Sequence, residues 1–269
     1  MKKIIIVLML IFILGCNTNN SINPSSKKGI IEEFRSGTEG LVVEKITGAP
    51  PDKILENEEF NFGIEITNKA PTDIKGAKIF LGGLESNYFT YDQTIHDQEF
   101  DFEGRSQFNP EGEKKIIEIE AKNIGLPQGL TKDYVAPYEI GIEYQHDAIT
   151  NAEICVDIKN NNLANICRGN KVNPKSQGSP VAPTSIEYTT TSLRNSKKVN
   201  FEITIEKVGS GEVNGNIVTI NSVKLAEDEV ECKQDKIELK KGKASLFCSI
   251  DISNTKASYN TILITSLTY

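Results

Sequence analysis

Apolar and polar residues alternate along much of the chain after about residue 37. The segments 60–67, 117–121, 138–144 and 246–252 place apolar side chains at every second position. A period of two is typical of strands that bury one face and expose the other to water. Turns rich in Pro and Gly separate these segments, and the sequence shows no long 3.6-residue period. The pattern therefore predicts an all-β fold built from antiparallel β-sandwiches.

Two patterns of the first half recur in the second half. Residues 60–74 (FNFGIEITNKAPTDI) align without a gap with residues 199–213 (VNFEITIEKVGSGEV). Later in each half, residues 134–144 (YVAPYEIGIEY) and 259–269 (YNTILITSLTY) are both bounded by Tyr and end in an alternating segment. Because the matched segments occur in the same order, we predict an internal repeat in which one sandwich fold is used twice.

A stretch rich in Pro, Gly and polar residues marks the predicted boundary between the two sandwiches. This composition is typical of linkers, and we assign the linker to residues 170–177. The first sandwich is then predicted over residues 38–169 and the second over residues 178–269. Because the second has about the size of a seven-stranded immunoglobulin domain, we predict two tandem immunoglobulin-like sandwiches.

The first sixteen residues have the composition of an export signal. A basic Met1-Lys2-Lys3 precedes an apolar run over residues 4–14. The run is shorter than the roughly 20 residues of a spanning helix and has the length of a signal-peptide core. Ile13-Leu14-Gly15-Cys16 resembles the lipobox of bacterial lipoproteins. The resemblance implies that residues 1–15 are a removed signal peptide and that lipid on Cys16 anchors the protein to the outer side of the cell membrane.

The chain is acidic, which narrows the classes of partner. Its 269 residues include 30 Lys and Arg against 37 Asp and Glu, a formal net charge of −7. A nucleic-acid binder needs a basic face for phosphates, so nucleic acid is not an expected partner. An acidic surface is not attracted to anionic lipid headgroups either. We therefore expect the polar residues 16–37 to form a flexible tether that holds the sandwiches away from the bilayer.

The five Cys residues form an odd set, and assigning Cys16 to the lipid leaves four. In an exported chain an even set of cysteines is typical of disulfides. Four cysteines allow three pairings, and their order along the chain favours Cys155–Cys167 and Cys232–Cys248. Zinc is the rival interpretation, but zinc sites favour close pairs such as C-x2-C with His partners, which this sequence lacks.

Candidate chemistry is concentrated in one acidic segment of the first sandwich. Its candidate metal ligands are Asp92, His96, Asp97, Glu99 and Asp101. Carboxylates are the ligands that calcium prefers, and histidine can serve as a general base. The segment lacks the spacing and Gly of an EF-hand loop, which favours a solvated acidic loop. The other histidine, His146, is predicted to lie in a hairpin turn. We predict no metal site, no cofactor and no catalytic residue.

Two further resemblances concern the sandwiches themselves. Phe60–Lys69 followed by Ala77–Leu81 resembles extracellular immunoglobulin-like modules related to the CARDB group, in which a strand ends in an Asn-Lys or Asn-Gly turn before its hairpin partner. Gly37–Leu41, followed by a Val-rich strand, resembles archaeal exported surface proteins of unassigned role. The first resemblance implies an extracellular immunoglobulin-like sandwich, and the second supplies no function.

The expected function is a non-catalytic binding or spacer module on the cell surface, with a role such as adhesion. Expected partners are the membrane, through the lipid on Cys16, and another surface protein or an envelope polymer. Contact would use loops at one end of a sandwich or the addition of a strand to an exposed sheet edge. One alternative is an extracytoplasmic enzyme with a site in residues 82–109, because long loops often carry function. The other is a transporter's solute-binding lipoprotein, which would require alternating helices and strands.

Overall fold

The computed structural model describes residues 34–129, 133–157, 167, 169–193, 196–252 and 258–269. Strands dominate these residues, with two short 3-10 turns at Gln93–His96 and Asn214–Asn216. The strands are β1 (Leu41–Lys45), β2 (Glu59–Asn68), β3 (Ile74–Gly82), β4 (Phe89–Tyr91), β5 (Phe100–Phe102), β6 (Lys114–Asn123), β7 (Glu139–Glu143), β8 (Asp147–Val156), β9 (Lys171–Val172), β10 (Val181–Leu193), β11 (Ser196–Lys207), β12 (Ile217–Leu225), β13 (Asp228–Glu229), β14 (Glu231–Cys232), β15 (Lys236–Glu238), β16 (Lys243–Asp251) and β17 (Tyr259–Thr268). The predicted all-β fold is confirmed.

The first sandwich packs a four-stranded sheet, in the order β1-β2-β6-β4, against a three-stranded sheet, β5-β3-β7. The strands pair in antiparallel register, with Phe62 of β2 opposite Ile119 of β6. Every second side chain of these strands points inward, and the inward side chains are apolar, as predicted from the alternation. The inward side chains that form the core include Phe60, Phe62, Ile64, Ile66, Ile74, Ala77, Ile79, Leu81, Phe102 and Ile119.

The second sandwich packs the sheet β14-β16-β11-β10-β9 against the sheet β13-β12-β17-β8, in which β15 also pairs with β12. Phe201 of β11 lies opposite Cys248 of β16, so the long central strands share one buried face. This core includes Val181, Ile186, Val199, Phe201, Ile203, Ile205, Val218, Leu246, Leu263 and Leu267.

The predicted boundary between the sandwiches was wrong. β8 pairs along its whole length with β17, and its inward side chains Ala148, Ala152, Ile154 and Val156 lie in the second core. The predicted linker 170–177 contains β9, which pairs with β10. Only residues 144–146 separate β7 of the first sandwich from β8 of the second. A loop inside a domain and a linker have similar compositions, so composition alone placed the boundary too late.

The strand order of both sandwiches follows that of an immunoglobulin domain, in which strands A, B, E and D form one sheet and C, F and G the other. β1-β2-β6-β4 and β10-β11-β16-β14 occupy the A-B-E-D positions. β3 and β7 occupy positions C and F of the first sandwich, and β12 and β17 occupy them in the second. The repeated sequence patterns therefore fall on equivalent strands, β2 with β11 and β7 with β17.

Two disulfides lie in the second sandwich. Cys155 near the end of β8 bonds to Cys167, with their Cα atoms 5.3 Å apart. Cys232 of β14 bonds to Cys248, which lies directly opposite it on β16. This is the pairing that the order of the cysteines favours. Disulfides are typical of proteins that fold in oxidising compartments outside the cytosol.

The predicted signal peptide, Cys16 and most of the predicted tether lie outside the described residues, which begin at residue 34. Among the residues that are described, no helix is long and apolar enough to cross a bilayer.

Candidate binding surface

The carboxylates of the acidic segment have separate local partners. Asp92 begins the 3-10 turn, and its Oδ1 accepts hydrogen bonds from the hydroxyl (2.7 Å) and the N–H (2.9 Å) of Thr94, which lower the pKa of its carboxyl. Asp97 ends the same turn, where its N–H donates to the Thr94 carbonyl. Glu99 and Asp101 instead contact β3. Glu99 lies 3.6 Å from the Lys78 ammonium, and Asp101 accepts a hydrogen bond from the N–H of Gly76.

His96 packs between aromatic side chains rather than among these carboxylates. Its ring centroid lies 5.6 Å from that of Phe80 and 5.8 Å from that of Tyr91. Its Nε2 accepts a long hydrogen bond (3.4 Å) from the N–H of Leu81. Within the described residues, no group of three or more His, Cys, Asp or Glu side chains is placed to hold a metal ion. The segment therefore joins β3, β4 and β5 and does not gather its polar side chains into one site.

His146 lies at the junction of the two sandwiches, so its predicted place in a hairpin turn was wrong. Its backbone exchanges two hydrogen bonds with Tyr269, and its ring packs against the rings of Tyr144 and Tyr269. Nε2 lies 3.5 Å from the hydroxyl of Ser179, and the buried Nδ1 has no hydrogen-bond partner among the described residues. The side chain is fully buried, and this burial lowers its pKa to about 4 although Asp147 opposes the shift.

One side of the first sandwich is left open between β1 and β7. We call it the open side and define it by its lining residues Leu41, Val43, Lys45, Tyr138, Ile140, Ile142 and Tyr144. Its apolar side chains pack against the first core but are only partly buried. Two contacts span it, since the N–H of Leu41 donates to the hydroxyl of Tyr144 (3.1 Å) and the ammonium of Lys45 lies 5.6 Å from the ring centroid of Tyr138.

The open side exists because, among the described residues, no strand occupies position G of the first sandwich. β7, at position F, is the edge of its sheet, whereas the equivalent β17 has β8 on its outer side. The two F strands align through their Tyr-bounded repeat, which matches Ile140 with Thr265 and Ile142 with Leu267. Thr265 and Leu267 are 1% and 0% exposed, whereas both isoleucines are half-buried. The strand that follows β7 in sequence, β8, thus completes the second sandwich instead of the first.

The charges along the open side are mostly negative. Glu139 and Glu143 are exposed at the two ends of β7, and Glu44 is exposed on β1. No described cation lies within 4.0 Å of any of these three carboxylates. Lys45 is the one cation on the described strands that line this side. The surface therefore combines a free strand edge, half-buried apolar side chains and an acidic rim.

No family model, no curated protein and no solved structure matches the chain.

The strand at 138–144 could be predicted from the sequence, but its open edge could not. The alternation in this segment indicates that one face is half-buried, and it does not indicate which strand lies alongside. The missing signal was β8. Its inward positions carry Ala148, Thr150 and Ala152, which are small or polar, so its alternation is weak.

Proposed function

We propose that the chain is a lipid-anchored cell-surface protein that acts as a non-catalytic binding module, with the open side of its first sandwich as the contact surface. The observation that supports binding is the contrast between the two F strands. Thr265 and Leu267 are fully buried in the second sandwich, whereas the equivalent Ile140 and Ile142 of the first are only half-buried. Apolar surface next to a free strand edge is the usual setting for binding by strand addition.

The proposed location has two supports. The lipobox-like Ile13–Cys16 provides an attachment point, and the two disulfides fit an oxidising compartment. Lipid on Cys16 would attach the chain to the outer side of the membrane. The local pairing of Asp92, Glu99 and Asp101 favours a structural role for the acidic segment, which is why we prefer a binding module to an enzyme.

Photo-crosslinking on intact cells tests the binding proposal. The crosslinking amino acid p-benzoylphenylalanine is placed at Ile142 on the open side, and in a matched variant at Ile262 on the solvent face of β17, which is 49% exposed. We expect position 142 to capture one specific protein or polymer and position 262 to capture none. Equal capture at both positions, or none at either, would favour a spacer without a binding role.

Metabolic labelling tests the anchor separately. Labelled fatty acid should enter the wild-type chain and should not enter a Cys16→Ser variant. Incorporation into both chains, or into neither, would contradict lipid attachment at Cys16.

A further inference from the structure

We propose that the open side binds an extended segment of a partner protein, which occupies the missing G position as a strand antiparallel to β7 and carries Lys or Arg on its solvent face. The inference rests on the proposed function, namely that the open side is a binding surface, and it adds the conformation and the charge of the partner. Its template is β8, which occupies the G position of the second sandwich.

Backbone geometry leaves hydrogen-bonding groups of β7 directed at the missing strand. His146 and Tyr269 exchange both backbone hydrogen bonds, so in the alternating antiparallel pattern Thr265 and Leu267 also direct theirs at β8. β7 and β17 are equivalent strands, and Ile140 and Ile142 point inward as Thr265 and Leu267 do. In both strands, residues that point inward direct their backbone N–H and C=O groups toward the G position. The N–H and C=O groups of Ile140 and Ile142 therefore point to the free edge, where a partner strand can pair with them.

The template also defines the side chains that the partner should present to the core. β8 places Ala152 opposite Leu263, Thr150 opposite Thr265 and Ala148 opposite Leu267. All three β8 side chains are at most 3% exposed. Tyr138 occupies the position of Leu263 and is larger, so the first sandwich also requires small or β-branched residues at these positions. Long apolar side chains would overfill the space.

The solvent-face positions determine the charge of the partner. In the template, Asn151 lies opposite Ile264 and Asp147 opposite Thr268. The corresponding residues of the first sandwich are Glu139 and Glu143. Directly opposed charges of unlike sign stabilise a strand pair and like charges destabilise it. Basic residues therefore fit where β8 has Asn151 and Asp147.

The charges of Glu139 and Glu143 also disfavour a second copy of β7 as the strand at the missing G position. The strand reads Glu-Ile-Gly-Ile-Glu and is symmetric about Gly141. Antiparallel pairing of two copies about this residue would oppose Glu139 and Glu143 on both sides. The acidic rim thus disfavours self-pairing and favours a basic strand from another protein.

Two peptides with the sequence of residues 147–156 test the inference against the full chain. Both carry Cys155→Ser, and the basic peptide also carries Asp147→Lys and Asn151→Lys. We expect the basic peptide to bind roughly tenfold more tightly by calorimetry, since two attractive pairs replace one repulsive pair. In a chain with Glu139→Gln and Glu143→Gln the two affinities should fall within about twofold of each other.

A disulfide test checks the register of the bound strand. A Cβ at Gly141 would meet no atom within 4 Å, and the position is exposed, so Gly141→Cys is accommodated there. In the template the corresponding position on the partner is Ile149, in a non-hydrogen-bonded pair whose Cα separation of about 4.5 Å suits a disulfide. In a buffer of oxidised and reduced glutathione, the thiols of Gly141→Cys and of a basic peptide with Ile149→Cys should form a mixed disulfide, with oxidised glutathione reduced to two thiols. One with Ala148→Cys should not, because its thiol would face the core.

Equal binding of the two peptides, binding of neither, or equal disulfide yields from the two registers would overturn the inference. Failure of the peptides while position 142 still captures a partner on cells would overturn strand addition and leave the proposed function intact. A concentration-dependent dimer that the basic peptide dissociates would make a second copy the occupant and would also overturn it.

Discussion

Acid should destabilise this protein through His146, the fully buried histidine at the junction of the sandwiches. Its Nδ1 has no hydrogen-bond partner among the described residues, so a second proton would place an unpaired positive charge in a desolvated site. The groups that face the ring are the Tyr144 and Tyr269 side chains and the Ser179 hydroxyl. None is an anion at neutral pH, since burial raises the pKa of both tyrosines. Asp147 is the neighbouring carboxylate that favours the charged ring.

The size of the effect follows from the shift in pKa. Burial lowers the pKa of His146 from 6.5 to about 4, a difference of 2.5. At about 1.4 kcal/mol for each unit, the free energy of unfolding falls by roughly 3 kcal/mol. The sign is set by the unfolded chain, which takes up the proton below about pH 6.5 while the folded chain stays neutral. Above pH 6.5, His146 therefore does not reduce the free energy of unfolding. The free energy of unfolding falls as the pH drops from 6.5 to 4, and below pH 4 the loss from this group is complete.

Urea unfolding between pH 8 and pH 4, followed by circular dichroism, measures this loss. Carboxylates also titrate in this range, so the comparison is between the wild type and His146→Gln, which cannot take up the proton. The pH dependence of the variant should be shallower by roughly 3 kcal/mol across the window. His96→Gln is the matched replacement of the other histidine; it leaves the buried His146 ring in place, so the loss attributed to His146 should remain.

Proton NMR supplies a check that does not depend on the variant folding. The chain has two histidines, and His96→Gln identifies the signal of His146. That signal should titrate near pH 4. A pKa near 6.5, or identical pH dependence in the wild type and His146→Gln, would refute the interpretation of the junction as a desolvated site.

Two predictions concern the stability of the sandwiches. Replacing both Cys232 and Cys248 with Ala should lower the free energy of unfolding by about 3 kcal/mol, because the disulfide closes a loop of 16 residues. A thermal scan measures the loss, and an unchanged melting temperature would contradict this prediction. Gly112→Ala should be far more destabilising than Gly129→Ala in urea titrations. Both glycines have φ near +83°, but a Cβ at Gly112 would collide with the Asn68 carbonyl whereas one at Gly129 meets no atom within 4 Å. Equal losses would show that the backbone angle, rather than the close approach, is what requires glycine.

The strongly alternating strands could be predicted from the sequence because their inward positions are large and apolar. Phe62, Ile64 and Ile66 of β2 and Phe201 and Ile203 of β11 lie in the two cores, and their matching patterns fall on equivalent strands. Disulfides between neighbouring cysteines also followed from the order of the cysteines along the chain. The alternation lies within single strands, and each disulfide joins cysteines at most 16 residues apart, so both features leave a local signal in the sequence.

The open side could not be predicted, because it depends on which sandwich a single strand joins. β8 is adjacent in sequence to β7, and sequential strands commonly lie side by side. Its side chains Ala148 and Ala152 instead pack in the second core. Pairing across a separation of more than a hundred residues leaves no local pattern. The burial of His146 was missed for the same reason, since its neighbours Ser179 and Tyr269 are distant in sequence.

Residue-resolved amide hydrogen exchange on the isolated chain tests the incomplete first sandwich most directly. Because none of the described strands occupies position G beside β7, the amides of Ile140 and Ile142 should exchange rapidly. The amides of Thr265 and Leu267, their counterparts beside β8, should exchange more slowly by several orders of magnitude. Slow exchange at all four positions would show that the edge of β7 is covered, and it would contradict both the open side and the binding role proposed for it.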